Sequence, residues 1–259
     1  MFGINPFAGI SASVPPGVMQ TFVVLMGVLV AAGTLFDILH KGSATYFFQN
    51  WRRTRGARRL GGGELASIAL HTAAVDVLAS GEFCNARRRI AHLLTMYGFV
   101  LYIVSTVVLV FSYPTALKPR PDLWPHLWWI GGLMVLVGGY WFWFFIRVDV
   151  VAEGNSPWRA TRADLFVLSL IGSVTFALVW AWLQATGRPG AALFFGLYLV
   201  VSTILFGSVP WSKFAHMFFK PAAAFEKRVS EANGTRSNLP APVDKPEEFG
   251  RVAKHARHY

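Results

Sequence analysis

Three histidines share one depth in the hydropathy pattern of this chain. His40 ends the first apolar run, His92 sits in the first turn of the second, and His216 follows the fifth by about two turns. A b-type haem takes two axial imidazoles from facing helices at matched height. His92 and His216 meet that requirement, and His40 is a third candidate. Histidines at helix ends also simply sit at the interface, and the spacing leaves both readings open. At the opposite end of the runs only His126 is available, so a second bis-histidine site cannot be built there. His71, His255 and His258 fall in polar regions.

Other ionisable residues gather near the same level. Asp37 lies inside an apolar run, where a carboxylate is costly and therefore a functional candidate. Asp37 and His40 are one helical turn apart and share a side, with Lys213 and Arg89 close in depth. An interfacial acid paired with Lys41 accounts for Asp37 equally well. Asp164 reads as a helix N-terminal residue following Thr161. The single cysteine, Cys84, excludes a disulfide framework, a Cys-x-x-Cys pair and a four-cysteine iron–sulfur site. No nucleophile elbow, P-loop, dinucleotide-binding or zinc motif is present.

These residues must be positioned by membrane helices. Charged residues make up 14% of the chain, against roughly 25% in soluble domains, and they cluster in short blocks between long uncharged stretches. Five runs approach the roughly 20 apolar residues needed to cross a bilayer: Val18–Leu39, Ile90–Ser112, Leu127–Ile146, Ala163–Gln184 and Ala191–Val209. The fold class is therefore all-α integral membrane, a five-helix transmembrane bundle. Basic residues concentrate in 40–89, in 147–162 and after Trp211, while the opposite side has only Lys118, Arg120 and Arg188. The positive-inside rule then puts the N-terminus outside and the C-terminus in the cytoplasm. The net charge of +11 follows from these flanking blocks, and with no nucleic-acid-binding module present it does not indicate such a partner. Residues 1–17 lack a basic n-region, so no secretory signal peptide is expected.

Within the third run, Gly131 and Gly138 share one face, and Gly132 and Gly139 another. Each pair suits close approach of a neighbouring helix or a flat cofactor. Trp124, Trp128 and Trp129 at one end and Trp141 and Trp143 at the other read as interfacial belts. Gln49–Arg59 reads as a basic surface segment, and Glu64–Ser80 as a short helix with Leu65, Ile68, Ala69 and Thr72 on one side. The chain from about Ser230 is rich in Pro, Asn and charge, and is expected to be extended. The domain reading is an outer segment 1–17, a membrane domain 18–220 with the cytoplasmic loop 41–89, and a cytoplasmic tail 221–259.

Arg87-Arg-Arg-Ile-Ala-His92-Leu-Leu-Thr-Met-Tyr-Gly-Phe resembles the second helix of the nitrate-reductase gamma-subunit superfamily, and Val209-Pro-Trp-Ser-Lys-Phe-Ala-His216-Met-Phe-Phe-Lys resembles the end of its fifth. The resemblance covers roughly residues 18–220. It implies a membrane cytochrome b that exchanges electrons between a quinone and a cytoplasmic redox enzyme. Gly81-Glu-Phe-Cys84 and the Lys-Pro-Ala-Ala-Ala-Phe run at 220–225 are similar to the sulfur-metabolism branch, which includes the quinone-interacting oxidoreductase C subunit. The lack of an N-terminal iron–sulfur domain favours the adenylylsulfate reductase membrane anchor within that branch. The resemblance implies a multi-pass protein of the bacterial cytoplasmic membrane, partnered by the alpha and beta subunits of adenylylsulfate reductase or a related iron–sulfur flavoenzyme. The chain would be a non-catalytic or quinone-reactive subunit.

The chain also departs from that pattern. The two-haem gamma subunits carry further histidines at positions matching Tyr102 and Tyr198, and phenols are poor substitutes for imidazoles. The expectation is one haem b, ligated by His92 and His216 near the inner face. Quinone reduction consumes protons, and Asp37, His40 and Lys213 are the candidate quinone and proton site. The alternative is a haem-free anchor that recruits the soluble enzyme and binds quinone at most. A small transporter is disfavoured by the odd helix number and the lack of an inverted repeat.

Overall fold

Local signals set the helix starts. Asn85 accepts hydrogen bonds on its side chain from the backbone N–H groups of Arg87 (2.9 Å) and Arg88 (3.4 Å). Two of the amides left unsatisfied by the helical ladder are capped this way. Pro16 opens another helix, where its missing N–H costs nothing. The computed structural model describes residues 2–40, 49, 59–81, 83, 85–117, 121–147, 158, 160, 161, 164–211 and 216–234, with the backbone alone at 216 and 218.

Every regular element among the described residues is a helix. In chain order the elements are α1 (Pro6–Gly9), α2 (Pro16–His40), α3 (Gly62–His71), α4 (Ala86–Ser112), α5 (Leu123–Trp141), α6 (Leu165–Ala185), α7 (Ala191–Gly207) and α8 (His216–Ala232). Two helices continue in π-helical turns, α3 through Thr72–Leu78 and α5 through Phe142–Ile146. Helices α2, α4, α6 and α5 with its continuation (Leu123–Ile146) are each long and apolar enough to cross a membrane. The chain is thus a multi-pass α-helical membrane protein. The fifth expected run forms α7, an apolar helix of 17 residues, about 26 Å long at 1.5 Å per residue. Its start is set by a tight turn from α6, in which Gly187 (φ 64°) and Gly190 (φ 95°) adopt the left-handed backbone that glycine permits.

Packing runs in sequence order. Helix α4 lies along α5, α5 also touches α6, and α6 lies along α7, on which α2 packs. The glycines of α5 explain why it can serve two partners. A Cβ on Gly131 would stand 2.6 Å from the Tyr102 backbone nitrogen and 2.8 Å from the Gly98 carbonyl oxygen, and one on Gly138 would stand 2.7 Å from the Ala91 carbonyl oxygen. On the other face, Gly132 meets Leu178 at 2.9 Å and Gly139 meets Ile171 at 2.7 Å. Both glycine faces are therefore filled by helices, α4 on one side and α6 on the other, which is how small residues drive association in lipid.

The tryptophans depart from the belt reading. Trp128, Trp129 and Trp143 are buried in the bundle, so their rings pack inward and are not displayed to the interface. The indole of Trp128 donates to Thr106 Oγ1 at 3.0 Å. At the end that holds Trp128 and Trp129 the reason lies in α1, which covers it; Trp143, at the other end of α5, has the Arg147 guanidinium over its ring. Phe7 packs edge-on against Trp128 and Trp180, Gln184 donates to the Pro6 carbonyl at 2.8 Å, and Asn5 donates to the Tyr113 carbonyl at 2.8 Å. With aromatic partners supplied by the chain, these rings gain more from the core than from a headgroup layer.

At the opposite end, α3 and α8 form a second layer. Of the face expected from spacing, Leu65 and Ile68 are half-buried and Thr72 is buried, whereas Ala69 is exposed. Helix α8 continues through Pro221 to Ala232, buries Ala224 and Val229, and packs on α3 and its π-helical turns.

Candidate functional site around His92

The turn joining the π-helical segment to α4 is fastened along the first three turns of α4. Arg89 Nε donates to the Ala79 carbonyl at 2.8 Å, and the Tyr97 hydroxyl donates to the Leu78 carbonyl at 2.7 Å. The Gly81 N–H closes the turn on the Val75 carbonyl at 2.7 Å. Between these anchors stands Ser80, 2% exposed and at φ 50°. A positive φ is uncommon for any residue but glycine and is kept only where the surroundings impose it. The Ser80 hydroxyl lies 3.0 Å from His92 Nδ1. Phe83 packs on the same imidazole, with ring centroids 4.9 Å apart. His92 is half-buried, so its ring is held on an edge and a face. A metal-ligating histidine is commonly held by an oxygen that takes the N–H of its other ring nitrogen; the 3.0 Å contact with Ser80 fixes the His92 ring in place, with the donor set by the tautomer.

The second layer is tied to this region by a two-pronged ion pair. Arg228 Nε donates to Asp76 Oδ2 at 2.6 Å, and a terminal guanidinium nitrogen donates to Oδ1 at 2.8 Å. The Arg228 hydrogen bond outweighs burial and holds the Asp76 carboxyl below its usual value of 3.8. The pair links α8, which begins at His216, to the segment that carries Ser80.

The remaining candidates are placed as follows. Asp37 is buried, 3% exposed, on the seam of α2 that also holds Met19, Met26 and Gly33. Gly33, one turn earlier, sits against Val209 and Pro210, which puts Asp37 toward the exit of α7. His40 is exposed and stacks on Phe36 with ring centroids 5.0 Å apart, so the two differ in burial despite standing one turn apart. Lys213, the His216 side chain, Cys84 and Lys41 lie outside the described residues, as does the Gln49–Arg59 segment save its two ends.

Tyr102 and Tyr198, the two positions at which the resemblance expects further histidines, are brought together from α4 and α7. Both are buried, and both line a cavity of about 20 Å³ with Ser173 and Ser202. That is room for about one water. Ser173 and Ser202 hydrogen-bond each other at 2.7 Å, and the Tyr102 hydroxyl has no hydrogen-bond partner among the described residues.

Asp164 is structural, as its position after Thr161 suggested. It stands at the N-cap of α6 and accepts from the Thr161 backbone N–H and hydroxyl at 2.8 Å each, which holds the approach to the helix in place. It also takes a 2.8 Å hydrogen bond from Arg147 Nε, and that guanidinium stacks on Trp143.

Ser80 is the residue that sequence reasoning passed over. The Ser80-Gly81 pair is a turn signal, but nothing in it points to a histidine 12 positions on. No family model, no curated protein and no solved structure matches the chain.

Proposed function

We propose that the chain is the membrane anchor and electron conduit of a cytoplasmic flavin/iron–sulfur oxidoreductase, adenylylsulfate reductase by resemblance, and links it to the quinone pool through one haem b. The observation that carries this reading is the oriented, half-buried imidazole of His92 in the second turn of a helix long enough to span a membrane. His216 would be the second residue to hold the group, at the start of the helix that Arg228 ties back to the Ser80 segment. A haem b would supply one-electron transfer; His92 and His216 would hold it, with Phe83 packed on one face of the His92 imidazole. Asp37, His40 and Lys213 form the quinone and proton site, where the burial of Asp37 marks the costliest and most informative charge. Five helices span the bacterial cytoplasmic membrane with the N-terminus outside, which places the α3–α8 layer on the cytoplasmic side as the surface that receives the partner enzyme.

A haem-free anchor is the second reading. It is favoured by Tyr102 and Tyr198, which fill with phenols a place where the resemblance expects imidazoles. Haem content separates the two. Chain purified from a haem-replete host is expected to hold about one haem b per chain, lost in His92→Ala and in His216→Ala. Co-purification with the two adenylylsulfate reductase subunits in mild detergent tests the partner. A colourless protein that still retains those subunits leaves the second reading standing and removes the first.

A further inference from the structure

Three helices bring four hydroxyls to one small space inside the bundle. Tyr102 comes from α4, Ser173 from α6, and Tyr198 and Ser202, one turn apart, from α7. All four residues are buried, between 2% and 5% exposed. The rest of the wall is apolar, with Leu170 and Leu205 among its buried members. Each hydroxyl stands well inside its helix, at a depth where bulk water does not reach a polar group. A hydroxyl left unpaired there is costly.

The hydrogen bonds within the group are incomplete. Each hydroxyl brings one donor. Ser173 and Ser202 bond each other at 2.7 Å, which uses one of their two protons. The Tyr198 hydroxyl approaches both Ser202 and Tyr102. The Tyr102 hydroxyl, shielded from solvent, reaches hydrogen-bond geometry with none of the described residues. Its ring is packed against Trp128, with centroids 5.2 Å apart. The space beside these groups measures about 20 Å³. One water needs about 10–15 Å³ and two to four polar partners.

We infer that this cavity is a binding site for a single buried water, held by the Tyr102 hydroxyl and by at least one hydroxyl of α6 or α7. A water donates two hydrogen bonds and accepts two. It therefore pairs with the Tyr102 hydroxyl in either direction and keeps bonds for Tyr198, Ser173 or Ser202. Helix α4 lies along α5 and not along α7, so the water is a polar link between helices whose backbones stay apart. Such bridges are nearly as favourable as direct hydrogen bonds. The site involves neither a haem nor a partner enzyme, and failure of the chain to bind haem would bear on the proposed function alone.

Two measurements on the full chain test the site. The first is a crystal structure of the wild-type protein at a resolution that reveals ordered waters. One water is expected about 2.5–3.0 Å from the Tyr102 hydroxyl oxygen and from at least one of the other three. An empty cavity, or a Tyr102 hydroxyl bonded directly to Tyr198 with no water between them, overturns the inference. The second is denaturant unfolding of Tyr102→Phe in detergent, a variant that keeps the ring against Trp128 and removes only the hydroxyl. With the water in place the variant loses a satisfied hydrogen bond, and its unfolding equilibrium constant should rise about 2- to 10-fold. In a dry cavity it loses an unpaired buried hydroxyl, and the constant should fall about 5- to 100-fold. A fall, or an unchanged constant, overturns the inference. The crystal structure of the wild-type chain decides by itself if the variant does not fold.

Discussion

Replacing Gly131 by alanine tests the packing that positions everything else. The added Cβ would lie 2.6 Å from the Tyr102 nitrogen, 2.8 Å from the Gly98 oxygen and 3.0 Å from Leu101 Cβ. Two of the three are backbone atoms, which cannot rotate away. To reach an ordinary contact of 3.4 Å, α4 and α5 must part by about 0.8 Å, and the neighbouring contact at Gly138 loosens with them. Forcing extra atoms into a close-packed interface costs about 1–3 kcal/mol. Alanine also gains up to about 1 kcal/mol over glycine in helix propensity, so the variant needs a reference with the same gain and no clash. Gly27 in α2 and Gly196 in α7 provide it, since a Cβ at either meets no atom within 4 Å. Unfolding followed by tryptophan fluorescence in a denaturant titration of detergent-solubilised protein would measure the difference. Gly131→Ala is expected to fall about 1–3 kcal/mol below Gly27→Ala and Gly196→Ala. Equal stabilities would refute the reasoning that α4 and α5 meet backbone to backbone at this glycine.

Other consequences can be measured on the same preparation. Arg147→Gln leaves the Asp164 carboxylate, 12% exposed, without its cation, and should destabilise the chain by about 3 kcal/mol, most of it recovered in the double variant with Asp164→Asn. The Asp76–Arg228 pair should make the α8 contact acid-labile. Because the folded Asp76 value is depressed below 3.8, its contribution is complete above the unfolded carboxyl value and disappears as pH falls through the folded value. Hydrogen exchange in α8 should therefore stay slow down to about pH 4 and speed up below it, and Asp76→Asn should remove that dependence, with a loss near neutral pH of at most about 1 kcal/mol because Arg228 is partly exposed. Gln184→Ala removes the donor to the Pro6 carbonyl and should loosen α1, seen as faster exchange at residues 5–10, with little effect at His92 on the far side of the bundle.

How much of this was legible in the sequence differs by element. The four spanning helices follow from uninterrupted apolar runs, since a length of about 20 such residues has few other uses. The seven-residue glycine spacing in α5 was legible as two faces, though only the structure assigns one to α4 and the other to α6. Trp128 and Trp129 misled because a belt and a buried cluster share one residue type, and the choice depended on α1, four residues that no apolar period announces. Asp37 and His40 share a side by helical spacing, yet one is buried and the other stacks on Phe36, because the seam of α2 against α7 is narrow. His92 was visible as a histidine at a helix start. Its support by Ser80 was not, because that contact depends on a left-handed turn and three tertiary hydrogen bonds. The pair Asp76–Arg228 spans 152 positions and has no local signature at all.

The central claim is that electrons pass between a quinol and one haem b held by His92 and His216. The most direct measurement is the visible difference spectrum of the purified wild-type chain before and after addition of a short-chain quinol under anaerobic conditions. The account predicts a reduced b-type haem signal of about one haem per chain, absent from His92→Ala and His216→Ala. A colourless wild-type protein, or a haem signal that survives both substitutions, would contradict it.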